Sequence, residues 1–204
     1  PQLLTDLESQ DYNGDMEFIL VDDDSKDSTK TIIQNMVKKD YRFIYENSIN
    51  GNPSLNYKKR VLDAGIKRSH NEWLLFTDAD CNLKPGWARE MSTFFTDDTD
   101  YVIGYSEISS GKKIITRFQS IDYLMLMISA RGSTIAGRAW ASSGQNQAYR
   151  KTLFEEVEGF SQISDYLQGD DTLFLQICRK NNIKIKFADK IECRTTSKQE
   201  DSWR

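Results

Sequence analysis

The sequence predicts one α/β domain with a mostly parallel sheet and flanking helices. Short apolar runs alternate with amphipathic helical patterns through the first half of the chain, which is the order that produces β-α units. The 204 residues are enough for one domain with a substantial core, and neither an internal repeat nor a low-complexity linker divides them. Hydrophobic residues make up 38% and charged residues 28%, as in a soluble globular protein. We therefore expect residues 1–204 to form a single domain.

The first third of the chain contains three predicted helices and two predicted strands. Residues 1–10 have leucines at helical spacing and begin with a proline, which suits a first helical turn. Residues 17–21 (EFILV) are a short apolar run and predict a buried strand. Residues 25–39 carry their apolar side chains on one helical face. A second short strand is predicted at residues 42–45, and a helix with its apolar side inward at residues 55–68.

The middle of the chain continues the alternation. Residues 73–77 (WLLFT) are another apolar run and predict a third buried strand. A proline opens a predicted helix at residues 85–95, because proline suits the first helical turn. Residues 101–105 predict a fourth strand.

The second half of the chain is less regular. Large apolar residues at helical spacing predict a helix at residues 114–130, and residues 145–149 predict a strand. Residues 170–180 predict a helix with acidic residues in its first turn, where they oppose the helix dipole favourably. Residues 183–187 (IKIKF) alternate between apolar and charged residues and predict a strand.

Composition argues against several classes of function. The net charge of -4 comes from 31 acidic and 27 basic residues, so no basic excess indicates a nucleic-acid partner. The odd number of cysteines, without CxxC spacing, predicts reduced cytosolic thiols rather than disulfides or a zinc site. The single histidine, His70, lies in a polar stretch and is expected at the surface rather than in a Ser-His-Asp triad. The longest apolar stretch, residues 123–130, is far shorter than the ~20 residues of a membrane-spanning helix, so we expect this chain itself to be soluble.

Acidic residues follow two of the predicted strands. In open α/β sheets, ligands bind beyond the carboxyl ends of the strands. Asp78 and Asp80 follow the WLLFT strand, and carboxylates two residues apart can share one divalent cation, which would neutralise a diphosphate leaving group. The same pair is also compatible with a solvated turn or a helix cap.

The second acidic cluster follows the EFILV strand. Asp22, Asp23 and Asp24 are adjacent carboxylates that repel one another unless a partner compensates them. A nucleobase, a ribose or a cation could be that partner. Alternatively, Asp24 or Ser25 caps the helix that follows.

Three further segments could carry chemistry. Asp170 and Asp171 precede a helical run, where a carboxylate in a cleft could act as a general base or simply begin the helix. Lys58 and Lys59 could meet phosphates or belong to a solvated helix start. Residues 144–148 contain amides that could bind sugar hydroxyls, or form a polar strand edge.

Taken in chain order, four segments resemble the family-two glycosyltransferases, which have the GT-A fold of the nucleotide-diphospho-sugar transferases. VDDDSKDST (21–29) resembles that family's VDDGSTDGT nucleotide loop. LLFTDADCNLKPGW (74–87) resembles its metal-binding D-x-D segment and is the most specific match. GQNQAYRKTLFEEVEGF (144–160) resembles its small-residue strand, helix and GGF turn, and GDDTLF (169–174) resembles its acceptor motif.

The resemblance implies a donor site at the strand ends. Asp23 would contact the nucleobase with Asp22 beside it, while Asp24 stands where the family usually has glycine, so the base pocket would be shaped differently. Asp78 and Asp80 would hold the diphosphate of a nucleotide-sugar donor, UDP-linked, through Mg²⁺ or Mn²⁺.

The resemblance also implies an acceptor site and a mechanism. Asp171 matches the aspartate that deprotonates the acceptor hydroxyl, with Asp170 in place of the usual glutamate. Members with this set of motifs invert the anomeric centre. Lys58 is expected to contribute to donor binding through the phosphates.

Two parts of the family pattern are missing from the sequence. The first strand of the fold and the Q-x-x-R-W motif are both absent, so we expect a domain truncated at both ends. Similar bacterial members are membrane-associated. The resemblance therefore implies a parent protein at the cytoplasmic face of the cell membrane, with a glycan or lipid-linked acceptor and with membrane contact through regions outside this chain.

Two other functions remain open at the level of sequence. A nucleotidyltransferase also uses paired carboxylates and a metal, but it normally has an early glycine-rich phosphate loop, which this sequence lacks. A non-catalytic nucleotide- or carbohydrate-binding module would keep the donor loop but would not need Asp171. Catalytic turnover is expected of the transferase and not of the binding module, so its measurement distinguishes them.

Overall fold

The computed structural model describes residues 2–109, 111 and 113–198 and has the expected α/β architecture. Pro1, expected in the first helical turn, and residues 199–204, at the other end of the expected domain, lie outside the described residues. The helices are α1 (Gln2–Glu8), α2 (Thr29–Lys39), α3 (Tyr57–Arg68), α4 (Trp87–Ser92), α5 (Ile114–Ile135), α6 (Lys151–Glu156) and α7 (Thr172–Arg179). The strands are β1 (Phe18–Asp22), β2 (Phe43–Asn47), β3 (Trp73–Phe76), β4 (Cys81–Leu83), β5 (Tyr101–Gly104), β6 (Ser106–Ile108), β7 (Gln147–Arg150), β8 (Ile185–Ala188) and β9 (Thr195–Ser197).

The strands form mixed rather than mostly parallel sheets. β1 and β2 pair in parallel, and a second sheet has the order β3-β7-β5-β8. β5 and β8 are parallel, but β7 runs antiparallel to both β3 and β5. The direction follows from where the chain enters each strand. β3 runs towards the side of the sheet where Asp78 and Asp80 lie, whereas β7 starts from that side and runs away from it. A small third sheet, β4-β9-β6, is built from three-residue strands, which are too short to show a periodic pattern in sequence.

Alternation along the central strands divides the interior into two cores. Tyr101 and Tyr149 face one side of the sheet, where they pack with Phe174. Val102 and Ala148, the neighbours of those tyrosines in sequence, face the other side. All five side chains are fully buried, so β5 and β7 form the rigid centre of the domain.

An open slot of about 680 Å³ separates β1 from β3. Both strands line it, together with the apolar side chains of α1 and α3. Each strand is at the edge of its own sheet, with its other edge paired to β2 or β7. The Glu17 carboxylate joins the two strands at their starts, because it accepts hydrogen bonds from the backbone of His70 (2.6 Å) and Asn71 (3.2 Å). The slot is therefore an opening between two strand edges that are not paired with each other.

Filling this slot with a strand is expected to stabilise the domain. Within the described residues, one edge of β1 and one edge of β3 are unpaired and an apolar surface lies between them, which favours aggregation. An N-terminal extension that adds one strand here should raise the free energy of unfolding by a few kcal/mol, since each buried Val, Leu or Ile contributes about 1.5–3 kcal/mol. Urea denaturation of the 204-residue chain and of the extended chain measures the difference. Equal midpoints, with both proteins monomeric, would contradict the need for a further strand.

His70 lies at the surface, as expected, with its ring Nδ1 3.0 Å from the Glu17 carboxylate. Among the described residues, no helix combines the length and apolarity needed to cross a bilayer. The longest helix, α5, continues five residues beyond its expected end, through Ile135.

Candidate active site

The loop that follows β1 is organised by Asp22. This residue is 3% exposed, and its carboxylate accepts hydrogen bonds from the Ser25 backbone (3.1 Å) and the Tyr45 hydroxyl (3.1 Å). The hydrogen bonds from Ser25, followed by that from Tyr45, hold the pKa of Asp22 below its ordinary value despite burial. Asp22 therefore stays ionised and gives the loop its shape, while its own oxygens point inward.

Asp23 and Asp24 occupy the outside of the same loop. Asp23 is exposed and accepts a hydrogen bond of 2.5 Å from the Ser48 hydroxyl. Asp24 has a φ of 57°, in the left-handed region that glycine adopts most easily and that Asp tolerates better than most residues. The chain therefore turns at Asp24 through a backbone conformation that glycine would also adopt. Its carboxylate is exposed and pairs with Lys26 at 2.6 Å.

Asp78 and Asp80 lie in one tight turn after β3. The turn is closed by a hydrogen bond of 3.1 Å from the Cys81 backbone nitrogen to the Asp78 carbonyl oxygen. The Asp80 side chain is exposed, and that of Asp78 is 29% exposed. Both carboxylates therefore remain accessible at the carboxyl end of the strand, where ligands bind in sheets of this kind.

Lys58, at the start of α3, connects two acidic clusters that are far apart in sequence. Its ammonium group lies 2.7 Å from the Asp78 carboxylate and 3.4 Å from the Asp170 carboxylate. Burial acts to lower the pKa of Lys58, but the two carboxylates outweigh it and raise the pKa above the ordinary value. Lys58 is therefore a fixed positive charge between the turn after β3 and the start of α7.

Asp170 and Asp171 lie directly before α7. Gly169 precedes them with a φ of 109°, a conformation that requires glycine. Asp171 caps the helix: one carboxylate oxygen accepts from the Thr172 backbone (2.5 Å), and the other accepts from the Gly144 backbone (3.2 Å). Asp170 is 7% exposed, and one of its oxygens is buried without a hydrogen bond.

The protonation of Asp171 is shifted by its surroundings. Burial is the largest cause, and the neighbouring Asp170 adds to it, so that the pKa of Asp171 is raised above its ordinary value. The backbone donors and Lys58 oppose the shift without cancelling it. A carboxylate with a raised pKa has a greater affinity for a proton, which is the property of a general base.

A divalent cation fits these residues. Mg²⁺ and related ions bind through one or two carboxylates together with substrate phosphate oxygens. Asp78 and Asp80 supply two carboxylates from one turn, whereas the buried Oδ2 of Asp170 is ion-paired with Lys58 at 3.4 Å. No set of three His, Cys, Asp or Glu side chains suited to a metal occurs among the described residues, so the donor phosphates would have to complete the coordination.

The structure brings together only some of the residues that sequence reasoning selected. Asp78, Lys58, Asp170 and Asp171 form one cluster, whereas no hydrogen bond or ion pair in the described part of the chain joins residues 22–24 to it. Two of the three side-chain amides in residues 144–148 are used inside the domain, whereas that of Gln145 is half-buried. Asn146 and Gln147 are fully buried and bond to Trp87, Tyr101 and backbone carbonyls.

Two partners of the first loop were missed from sequence. Tyr45 lies in the middle of β2 and Ser48 directly follows the strand, and their hydroxyls donate hydrogen bonds to Asp22 and Asp23 respectively. The parallel register, in which Asp22 pairs with Asn47, places these residues side by side. The sequence predicted a mostly parallel sheet but not which strands pair, so these two contacts could be named only once the register of β1 and β2 was known.

Solved structures that share this fold include the following three. The mannosyltransferase PcManGT from Pyrobaculum calidifontis, solved in complex with GDP-Man and Mn²⁺, has a TM-score of 0.67 and 16% identity, over 95% of this chain and 51% of that one. TarS of S. aureus has a TM-score of 0.65 and 17% identity, over 97% of this chain and 34% of TarS. A mycobacterial protein has a TM-score of 0.59 and 13% identity, over 100% of this chain and 63% of that chain. Each solved structure is thus of a considerably longer chain.

The similar structures share only the fold with this chain, whereas a sequence-family model identifies its family. No curated protein sequence matches this chain. The model of the family described as glycosyl transferase family 2 matches residues 1–158, which include the loop after β1, Lys58 and the turn after β3. That match covers well over half of the chain and agrees with the GT-A architecture of the similar structures. The chain therefore belongs to glycosyl transferase family 2.

Proposed function

We propose that this chain is the catalytic domain of an inverting glycosyltransferase, which moves a sugar from a UDP-linked donor to an acceptor hydroxyl. The observation that carries the proposal is the contact of Lys58 with both Asp78 and Asp170. This contact joins the turn expected to bind the donor diphosphate to the acidic pair expected to meet the acceptor. A reaction between donor and acceptor needs both groups in one cluster.

The donor is proposed to lie across the carboxyl ends of β1 and β3. Asp23 is exposed directly after β1 and would be available to a nucleobase, while Ser48 donates a hydrogen bond to it and Asp22 shapes the loop through Ser25. Lys58 would meet the diphosphate beside Asp78. A bound Mg²⁺ or Mn²⁺, held by Asp78 and Asp80, would supply neutralisation of the diphosphate charge. PcManGT, which has this fold, was solved with a nucleotide-sugar and Mn²⁺.

Asp171 is proposed as the general base. It would accept the proton of the acceptor hydroxyl as that oxygen bonds to the anomeric carbon, while the bond from that carbon to the diphosphate oxygen breaks and the nucleoside diphosphate leaves. One displacement of this kind inverts the anomeric centre. The hydrogen bonds from Gly144 and Thr172 hold the Asp171 carboxylate in place, and its raised pKa favours acceptance of the proton. Asp170 would position the cluster through its ion pair with Lys58.

A glycan or a lipid-linked sugar is the proposed acceptor, and the proposed location of the parent protein is the cytoplasmic face of the cell membrane. A binding module is the alternative function, and Asp171 as a helix cap is the observation that favours it. A helix cap needs no proton transfer, so measured transfer of a sugar would distinguish the transferase from the binding module.

A donor screen tests the proposal. The purified chain is incubated with UDP-, GDP- and dTDP-linked sugars, with Mn²⁺ or with EDTA, and released nucleotide is measured with and without candidate glycan acceptors. We expect release of UDP that depends on the metal and increases with acceptor. Binding of a nucleotide without release, with every donor and acceptor, would favour the binding module instead.

A further inference from the structure

Helix α5 is apolar on two opposite faces. Met127, Ala130 and Thr134 are buried against the rest of the domain. The opposite side, here called the outer face, consists of apolar residues that are 42–86% exposed. The outer face comprises Ile114, Phe118, Ile121, Leu124, Met125, Ile128 and Ile135.

The outer face is one continuous stripe. Apart from Leu124, its residues are spaced four, three, four, three and seven positions apart along the chain. This spacing places them on one side of a helix. The 22 residues of α5 make the helix ~33 Å long at 1.5 Å per residue. Isolated exposed apolar residues are common on soluble proteins, but a continuous apolar patch of this length indicates an interaction surface.

The sequence segment that contains α5 is basic, unlike the rest of the chain. Residues 111–140 contain five basic residues and one acidic residue, whereas the remainder of the chain contains 22 basic and 30 acidic residues. The basic residues occur at both ends of the helix, and Asp122 is the single acid. An apolar stripe within a basic segment complements an anionic lipid surface, which offers both apolar chains and negative headgroups.

A tryptophan adjoins the same surface. Trp140 is 44% exposed, and its indole nitrogen donates to the Ser129 hydroxyl of α5 at 3.2 Å. The indole is therefore held beside the helix rather than free in solvent. Tryptophan is favoured at the boundary between headgroups and hydrocarbon, because the ring is apolar and the N–H is polar.

A second copy of the chain is a poorer partner for this face. Two parallel α5 helices would place Arg117 beside Arg117, and two antiparallel helices would place Arg117 close to Arg131. These like charges oppose both arrangements, and Asp122 is the single acidic residue within α5 itself. In the described structure Arg131 pairs with Asp189 of its own domain.

We propose that the outer face of α5 docks on an anionic lipid bilayer, with the helix lying in the plane of the membrane surface. The inner side of α5 contacts the candidate active site, because the Tyr123 hydroxyl lies 2.7 Å from that of Ser143, next to Gly144. Docking would hold the cluster around Asp171 beside the membrane. The proposal does not depend on transferase activity, since it follows from exposure and charge.

Vesicle flotation tests the docking. The 204-residue chain is mixed with vesicles of 70% POPC and 30% POPG, or of POPC alone. We expect it to float with the anionic vesicles and to bind POPC at least about fivefold more weakly, because each Lys or Arg near an anionic surface contributes about a fivefold gain. Binding to the anionic vesicles should weaken as salt is added.

Paired variants identify the surface. The Ile121→Ser/Ile128→Ser variant should bind the anionic vesicles at least about tenfold more weakly, since two large apolar side chains no longer enter the bilayer. The control, Ile49→Ser/Ile191→Ser, replaces two comparably exposed isoleucines elsewhere and should bind like the wild type. Circular dichroism and thermal melting of each variant confirm folding, which exposed positions should preserve.

Three results would overturn the proposal. The wild type could fail to float with anionic vesicles, as it would if another segment of the chain covered the face. The two double variants could lose binding equally, which would assign binding to another surface. Sedimentation velocity could instead show a wild-type dimer that the Ile121→Ser/Ile128→Ser change dissociates, without any vesicle binding, which would assign the face to a second copy.

Discussion

Replacing Asp171 by asparagine is expected to lower acceptor-dependent transfer by ~10² to 10⁴, the usual contribution of a general base. That range corresponds to ~3 to 5 kcal/mol in the activation free energy. Asparagine keeps the size of the side chain and caps helices well, but it cannot accept the proton of the acceptor hydroxyl. Donor and metal affinity should change little, because Lys58, Asp78 and Asp80 are unaltered. Initial rates of transfer and the dissociation constant of the donor check both parts.

Asp170→Asn is the matched control for this prediction. It should reduce transfer less than Asp171→Asn does, because Asp171 remains as the base. Its effect should come through Lys58, which would lose one of its two carboxylate partners. An Asp171→Asn enzyme with near wild-type turnover would leave Asp171 as a helix cap only, and would support the binding module.

The pH dependence of transfer follows from the same residue. Asp171 must be ionised to accept a proton, so the rate should fall as the pH drops through its pKa. Because burial raises that pKa, the acidic limb of the rate profile should lie above the ordinary aspartate value of about 3.9. A profile of transfer rate against pH, with donor saturating, measures this limb. The limb should disappear from the residual activity of Asp171→Asn.

UDP and Mn²⁺ together are expected to raise the melting temperature by more than the sum of their separate effects. The diphosphate and the two carboxylates share one cation in the proposed site, so each ligand increases affinity for the other. A ligand present at a hundredfold excess over its dissociation constant stabilises the folded chain by ~2.7 kcal/mol. Thermal unfolding with UDP, with Mn²⁺ and with both is the measurement.

Asp80→Asn provides the test of the metal site. Asp80 is exposed and is not used to hold the fold together by any hydrogen bond or ion pair in the described residues, so the variant should melt like the wild type without ligands. It should lose the part of the stabilisation that depends on Mn²⁺ and retain the part due to UDP alone. Equal stabilisation of the wild type by UDP with and without Mn²⁺ would contradict a shared metal site.

Strands that depend on neighbouring residues were predicted well, whereas the start of α2, which depends on contacts of the preceding loop, was not. Strands β1 and β3 were predicted within one residue of their observed ends, because the runs FILVD and WLLF are strongly apolar and acidic residues lie at or shortly after their ends. Both strands were expected to be buried, but most of their residues are only partly buried because they line the open slot. The helix after β1 begins at Thr29, four residues later than expected. The left-handed backbone at Asp24 and the hydrogen bonds to Asp22 extend the loop, and neither is visible in helical periodicity.

The sequence by itself determined the α/β class, the order of the longer helices and strands, and the placing of carboxylates at strand ends, since these depend on residues that are close along the chain. Only the tertiary structure decided that Lys58 lies between Asp78 and Asp170, that β7 runs antiparallel, and that α5 exposes one of its apolar faces. Those features depend on contacts between residues that are far apart in sequence. No local propensity specifies such a contact, because it forms only when the sheet, the helices and the loops pack together.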